Sequence, residues 1–305
     1  MIGAGELARI VFGCGNFGGL GSSPALRGKG DDREQALAML DLARDAGLTR
    51  FDTANTYGGG ASEQVLGEWL RGQDGAWRAG IEVATKVGNP VGCPPGERPL
   101  SRAQVAHHLD GSLRRLGLER IDLYYLHEFD PATPLAETLA ALETALAAGK
   151  IARFGVSNAT FADLKAVLAL TGGRLRAAFT HVQNGFNRLE QDDLVEVIPF
   201  AAASGLAYVA FSPLAGGLLS GKYAPGRPPA PGTRLDAAPS LYGHLLTPET
   251  FAAIAELRAA ADARGSTLPA AALRFILDTP GVDSLIIAPR TAAQLAAYGV
   301  GRASA

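Results

Sequence analysis

Cysteine is scarce in this chain: two residues in 305, Cys14 and Cys93. They lie far apart and form no C-x-x-C pair, so neither a disulfide framework nor a structural zinc site is expected, and no other metal site is expected. No apolar run approaches the ~20 residues that span a bilayer. The first residues lack a basic stretch followed by a long apolar run, so a secretory leader is not expected either. Charge of one sign is missing too: 28 Lys and Arg stand against 30 Asp and Glu, a formal net charge of -2, with a pI of about 6.2. Without a long basic or acidic run, nothing points to nucleic acid or to an anionic membrane surface. The expectation is a cytoplasmic enzyme acting on a small molecule. Composition does not choose between a monomer and a homo-oligomer.

What is present is apolar: 47% of the residues are hydrophobic, enough for a large core. Length alone would suggest about two domains, but single α/β barrels reach this size. Short apolar runs read as buried parallel strands at 10–14, 48–52, 81–86, 121–127, 151–157, 177–183, 206–211 and 284–287. Amphipathic helices lie between them. One begins at Ser101, with Val105, Leu109, Leu113 and Leu116 on one face and a capping box from Ser101 and Gln104. The next begins at Thr133-Pro134, carries Leu135, Leu139, Leu142 and Leu146, and ends by Gly149. Eight strands alternating with helices predict a (β/α)8 barrel over 1–305 as a single domain, with a doubly wound open sheet as the alternative. Two proline- and glycine-rich loops interrupt the pattern, at 88–100 and 221–247. Both follow strand ends, the face where barrels place their sites.

Four polar residues sit at or just after the ends of three consecutive strands: Asp52 and Tyr57, then Lys86, then His127. Alone, each reads as a cap, a turn residue, a solvated cation or a satisfied core histidine. Together they make a proton-transfer site. Reducing a carbonyl by hydride transfer requires a proton donor at the developing alkoxide, and a tyrosine of ordinary pKa, ~10, is a poor match for neutral pH. A nearby lysine is expected to lower that pKa. A carboxylate would hold the lysine charged, and a histidine would polarise the substrate oxygen.

The motifs FDTANTYGGGASEQVLG (51–67), ATKVG (84–88), IDLYYLHEFDPATPLAETLAALETALAAGKIARFGVSN (121–158), VQNGFN (182–187) and FSPLAGGLLSGKY (211–223) resemble the aldo-keto reductase family, in family order over nearly the whole chain. The resemblance implies a TIM barrel that binds NADP(H), or less often NAD(H), without a Rossmann domain. It implies Asp52, Tyr57, Lys86 and His127 as the catalytic tetrad. It implies Ser157, Asn158 and Gln183 as carboxamide contacts, and Phe211 as the ring stacked on the nicotinamide. Ser212, Pro213, Leu214, Gly217 and Lys222 match the segment that wraps the pyrophosphate. Arg290 and Gln294 match the loop at the adenosine end, where an arginine suits a 2′-phosphate and favours NADPH, with NADH possible.

Gly13 to Gly18 formally reads G-x-G-x-x-G, but helical texture begins only near Asp32, so a dinucleotide-binding turn is not expected there. Asn16 and Phe17 are instead candidate cofactor contacts. The chain departs from the family in three places. MIGAGELAR leaves little room for the usual hairpin below the barrel, Ala297 and Tyr298 replace Glu-Asn, and Glu128 and Phe129 follow His127. Pocket walls are expected from 16–27, 88–100, 128–132 and 221–247. The leading expectation is NADPH-dependent reduction of an aldehyde or ketone. The alternatives are NAD(P)+-dependent oxidation of a sugar or other alcohol, and a nicotinamide-binding regulatory subunit.

Overall fold

A computed structural model describes residues 2–94 and 96–300. Positions 1 and 301–305 of the expected domain, and Pro95 of the expected 88–100 loop, lie outside the described residues. Eight parallel strands close into a barrel in sequence order, which decides for the barrel over the open sheet. They are β1 (Ile10–Gly13), β2 (Arg50–Asp52), β3 (Glu82–Val87), β4 (Ile121–Leu126), β5 (Ile151–Ser157), β6 (Phe179–Gly185), β7 (Ala207–Phe211) and β8 (Ser284–Ile287). β1 closes the ring, Phe12 aligning with Phe51 on one side and Ile287 on the other.

Alternating side chains point to opposite faces of each strand. Phe12, Phe51, Tyr124, Phe154, Val182 and Tyr208 pack outward with helix residues such as Leu40, Leu66, Leu109, Leu142, Val167 and Leu273 in one large core. The opposite set faces the barrel interior: Val11, Val209 and Ile286 form one small cluster, and Ala84, Leu123 and Tyr125 another. This apolar middle layer separates two polar ends.

Most strand limits differ from expectation by one or two residues, within the usual variation of strand ends. β6 shifts at both ends, because Ala177 and Ala178, good helix formers, lie in the helix Gly173–Ala178. Ser101 caps the helix Arg102–Leu116 through its Oγ, which accepts from the Gln104 N–H. The reciprocal half of the expected box is absent, because the Gln104 side chain turns to Glu97. Thr133 does not cap the helix Leu135–Ala147; Pro134 takes that place and the Thr133 hydroxyl binds Asp130.

Below the barrel, a 3-10 helix, Ala4–Arg9, leads into β1. Arg9 donates to the carbonyls of Leu277, Val282 and Asp283, each at 2.9 Å, and ties this helix to the approach of β8. Beside it, Glu82 takes Arg50 at 2.9 Å and Arg153 at 2.5 Å. Charge rather than an apolar plug thus occupies the bottom of the barrel. Among the described residues no helix is long and apolar enough to cross a membrane.

Candidate active site

The C-terminal strand ends surround a cleft of about 510 Å³. Asp52 is the last residue of β2, Lys86 lies one residue before the end of β3, and His127 follows β4, its N–H bound to the Val87 carbonyl at 2.7 Å. Tyr57 opens a tight turn, Tyr57–Gly60, in which Gly58 has φ 58° and Gly59 φ 71°. A Cβ on Gly58 would stand 2.5 Å from the Phe17 carbonyl oxygen, so the turn demands glycine there. The strand ends bring the four side chains together.

Lys86 is 1% exposed and spends all three of its N–H donors inside the protein. They go to Asp52 Oδ1, to the Thr53 carbonyl at 2.9 Å and to the Tyr57 hydroxyl at 3.4 Å. The other Asp52 oxygen accepts from Gln183 Nε2 at 2.9 Å. Burial disfavours the Lys86 charge, but Asp52 and Tyr57 more than offset it and hold the ammonium above the ordinary lysine value. The expected lowering of the Tyr57 pKa is not found. Burial raises it, and the opposing pull of Lys86 does not reverse the sign. Burial, and then the Lys86 charge, push His127 down to about 3, so its ring is neutral at ordinary pH. The ring meets Tyr57 edge-on, centroids 5.6 Å apart, and its buried Nδ1 has no hydrogen-bond partner among the described residues.

Ser157, Asn158, Gln183 and Phe211 line the same cleft. The β5–β6 register sets Ser157 beside Gln183, and Asn158 Nδ2 donates to the His127 carbonyl at 2.9 Å. A second cleft, of about 640 Å³, is lined by Ser212, Pro213, Leu214, Gly217, Lys222, Arg290 and Gln294. Asn16, Ser212, Arg234, Tyr242, Ile286 and Ala288 border both, so the two form one groove. Two non-glycine residues in its lining adopt positive φ, Asn158 at 53° and Ser212 at 54°, and so does the buried Ala215, at 47°, between the lining residues Leu214 and Gly216. Such strain collects where surrounding structure enforces a shape. In the loop after β8, Gln294 Oε1 accepts from the Arg290 N–H at 2.7 Å.

Other expectations fail. Phe17 is 1% exposed and packs on Phe12 in the main core, so it is no wall of the groove. The loops at 88–100 and 128–132 enclose a separate pocket with Glu128 and Phe129. Glu128 accepts from Asn89 Nδ2 at 2.7 Å there, and burial raises its pKa. The 221–247 segment does reach the groove, and it carries two short helices, Arg234–Ala237 and Pro239–Tyr242. It is pinned by Tyr242 to Ser212, hydroxyl to hydroxyl at 2.8 Å, and by Leu235 in a satellite core with Leu218 and Leu219. From it come residues the sequence reading passed over: Arg234, Leu241 and Tyr242. Arg234 buries Nη1 without a hydrogen-bond partner among the described residues. The only signal for it was the loop itself.

The aldo/keto reductase family model matches residues 9–298. The chain is 34% identical to an uncharacterized oxidoreductase of Bacillus subtilis, over 95% of this chain and 86% of that protein. It is 32% identical to the L-glyceraldehyde 3-phosphate reductase of Escherichia coli, over 86% of this chain and 77% of that protein. It is 31% identical to a probable voltage-gated potassium channel subunit beta of Oryza sativa, over 84% and 78%. With the family match running through every strand of the barrel, the chain belongs to the aldo/keto reductase family and is an oxidoreductase.

Proposed function

We propose that the protein reduces an aldehyde or ketone to the alcohol with NADPH, and that Tyr57 supplies the proton. The observation that carries this reading is the solvent-excluded Lys86–Asp52 pair with the Tyr57 hydroxyl against its ammonium, in the wall of the cleft. Burial keeps the phenol protonated at neutral pH, the state a donor must have. When its proton passes to the carbonyl oxygen, the phenolate left behind faces the Lys86 ammonium, which stabilises it. Asp52 keeps that ammonium charged and aimed. The neutral His127 ring offers an N–H to the same oxygen without placing a second cation beside Lys86.

The groove fits a nicotinamide dinucleotide. Its length joins both clefts, and the buried, unpartnered Arg234 Nη1 is a ready donor for phosphate oxygens. Ser157, Asn158 and the Gln183 amide oxygen would hold the carboxamide, and Phe211 would stack on the ring. Ser212, Pro213, Leu214, Gly217, Lys222 and Arg234 would hold the pyrophosphate, with Asn16 at the groove edge. Arg290 and Gln294 would take the adenosine end and favour NADPH over NADH. When bound, this group supplies the hydride that the carbonyl carbon receives. The test is NADPH consumption across a panel of aldehydes and ketones, including small phosphorylated aldehydes in view of the Escherichia coli relative's name. Turnover of at least one class supports the reading, and no turnover with any member, in the presence of tight NADPH binding, sinks it.

A further inference from the structure

Asp31 has no place in the roles above, yet its carboxyl is only 2% exposed, and burial raises its pKa against the opposing pull of Arg290. Its Oδ1 accepts from Arg290 Nε at 2.5 Å. Its Oδ2 is buried and, among the described residues, has no hydrogen-bond partner. The main chain around it is fixed on both sides. The Asp31 N–H donates to the Asn16 carbonyl at 2.7 Å, and its own carbonyl accepts from the Gly18 N–H at 2.8 Å. A Cβ on the preceding Gly30 would lie 2.0 Å from the Asn16 oxygen, so only glycine lets the chain run this close. Asn16 Nδ2 in turn donates to the Ala288 carbonyl at 3.2 Å. The loop after β1 is therefore stitched to the loop after β8 at two points, and the second stitch is the Asp31–Arg290 pair.

The way Asp31 holds Arg290 is specific. It takes the guanidinium by the inner nitrogen only. Among the described residues, the two terminal amines make no hydrogen bond, and Arg290 lines the far cleft with Gln294. We propose that Asp31 is a positioning residue for cofactor selection: it anchors Arg290 from the side so that both terminal amines face the 2′-phosphate of NADPH. The proposal rests on the NADPH reading above. Its physical basis is pre-organisation. A free arginine must surrender its rotamer freedom when it grips a phosphate, whereas a tethered one has surrendered much of it already. The outer edge of the guanidinium is the fork that matches a phosphate, and the side-on contact leaves that edge open. The opposite role, a carboxylate that competes with the phosphate for the guanidinium, would need Asp31 on the terminal amines.

The test is calorimetric affinity for NADPH and NADH in the wild type, Asp31→Asn, Asp31→Ala, Arg290→Ala and the Asp31→Ala/Arg290→Ala double variant, with thermal melts to show that each folds. Asp31→Ala should weaken NADPH by about three- to tenfold, the worth of one pre-ordered side chain, and leave NADH within about twofold. Asp31→Asn keeps the acceptor and the shape but loses the charge, so it should fall between the two. In the Arg290→Ala background, the Asp31 change should have no further effect on NADPH, as for residues that act in series. Additive effects in the double variant, or an unchanged NADPH/NADH ratio in the Asp31 variants while Arg290→Ala collapses it, overturn the inference and leave the cofactor reading intact. Tighter NADPH binding in either Asp31 variant overturns it in favour of competition. If Arg290→Ala itself leaves the ratio unchanged, the NADPH reading fails, and this inference with it. Should Asp31→Ala not fold, Asp31→Asn decides by the same ratio.

Discussion

The Lys86 ammonium lies 3.4 Å from the Tyr57 hydroxyl and 4.9 Å from the centre of its ring, so the cation is set against the edge of the phenol that carries the proton. If Tyr57 is the donor, Tyr57→Phe removes the proton and little else. Turnover should fall by about 10²- to 10⁴-fold, the usual worth of a general acid, while NADPH affinity stays within about twofold. Steady-state kinetics beside calorimetry separate the two, and equal turnover in the variant ends the assignment.

Lys86 and Asp52 form a buried ion pair, and removing one partner strands the other. Lys86→Met should therefore lose stability of about 3–5 kcal/mol as well as activity. Urea denaturation measures the first. A variant as stable as the wild type would mean that Asp52 finds another partner or takes up a proton.

His127 titrates at about 3 in the folded chain, against 6.5 for an ordinary histidine. The unfolded chain therefore binds a proton here below about pH 6.5 that the folded chain refuses until about pH 3. The neutral ring's contribution to stability is complete above pH 6.5 and is lost as pH falls toward 3. Between pH 6 and 4 the unfolding free energy of the wild type should drop relative to His127→Asn by about 1.4 kcal/mol per pH unit. Denaturant titrations at three pH values test this, and parallel curves would show that His127 charges in the folded state. Turnover, for the same reason, should show no inflection from His127 near pH 6 to 7.

Arg234 buries an unpartnered nitrogen in the wall that both clefts share. Arg234→Ala should weaken NADPH by about ten- to a hundredfold, in line with the loss of a charge-assisted hydrogen bond of roughly 1.5–3 kcal/mol. The remaining affinity should depend less steeply on salt. Binding isotherms at two ionic strengths check both, and unchanged affinity would turn attention to Arg234 as a substrate contact.

Phe17 belongs to the core and not to the groove. As a core side chain packed on Phe12, its truncation to alanine should cost about 3–5 kcal/mol of stability and change cofactor affinity little. A loss of affinity without a loss of stability would restore it to the groove.

The barrel was legible because buried parallel strands write themselves as short apolar runs, and β5 and β8 end where those runs end. The neighbourhood of Asp52, Lys86 and His127 was legible for a topological reason: consecutive strands of a barrel bring their ends to one rim. What escaped depends on direction and on distant contacts. Phe17 and Asn16 are neighbours in one loop, yet one faces the core and the other the groove, and no periodicity governs a turn. Arg234 and Tyr242 reach the groove because Tyr242 meets Ser212, 30 residues away in the chain. The direction of the Tyr57 shift is not legible in the motif, which names the lysine beside it but not the depth at which both are buried.

Asn158, Ser212 and Ala215 hold backbone angles that a free chain would abandon. The barrel beneath forces them, so the groove has the shape of a sprung clasp on a rigid frame. β5 and β7 end just before Asn158 and Ser212, so loosening of either strand is expected to relax these angles first. The clasp then opens while the frame still stands, and catalysis becomes a more sensitive thermometer of this protein than its secondary structure.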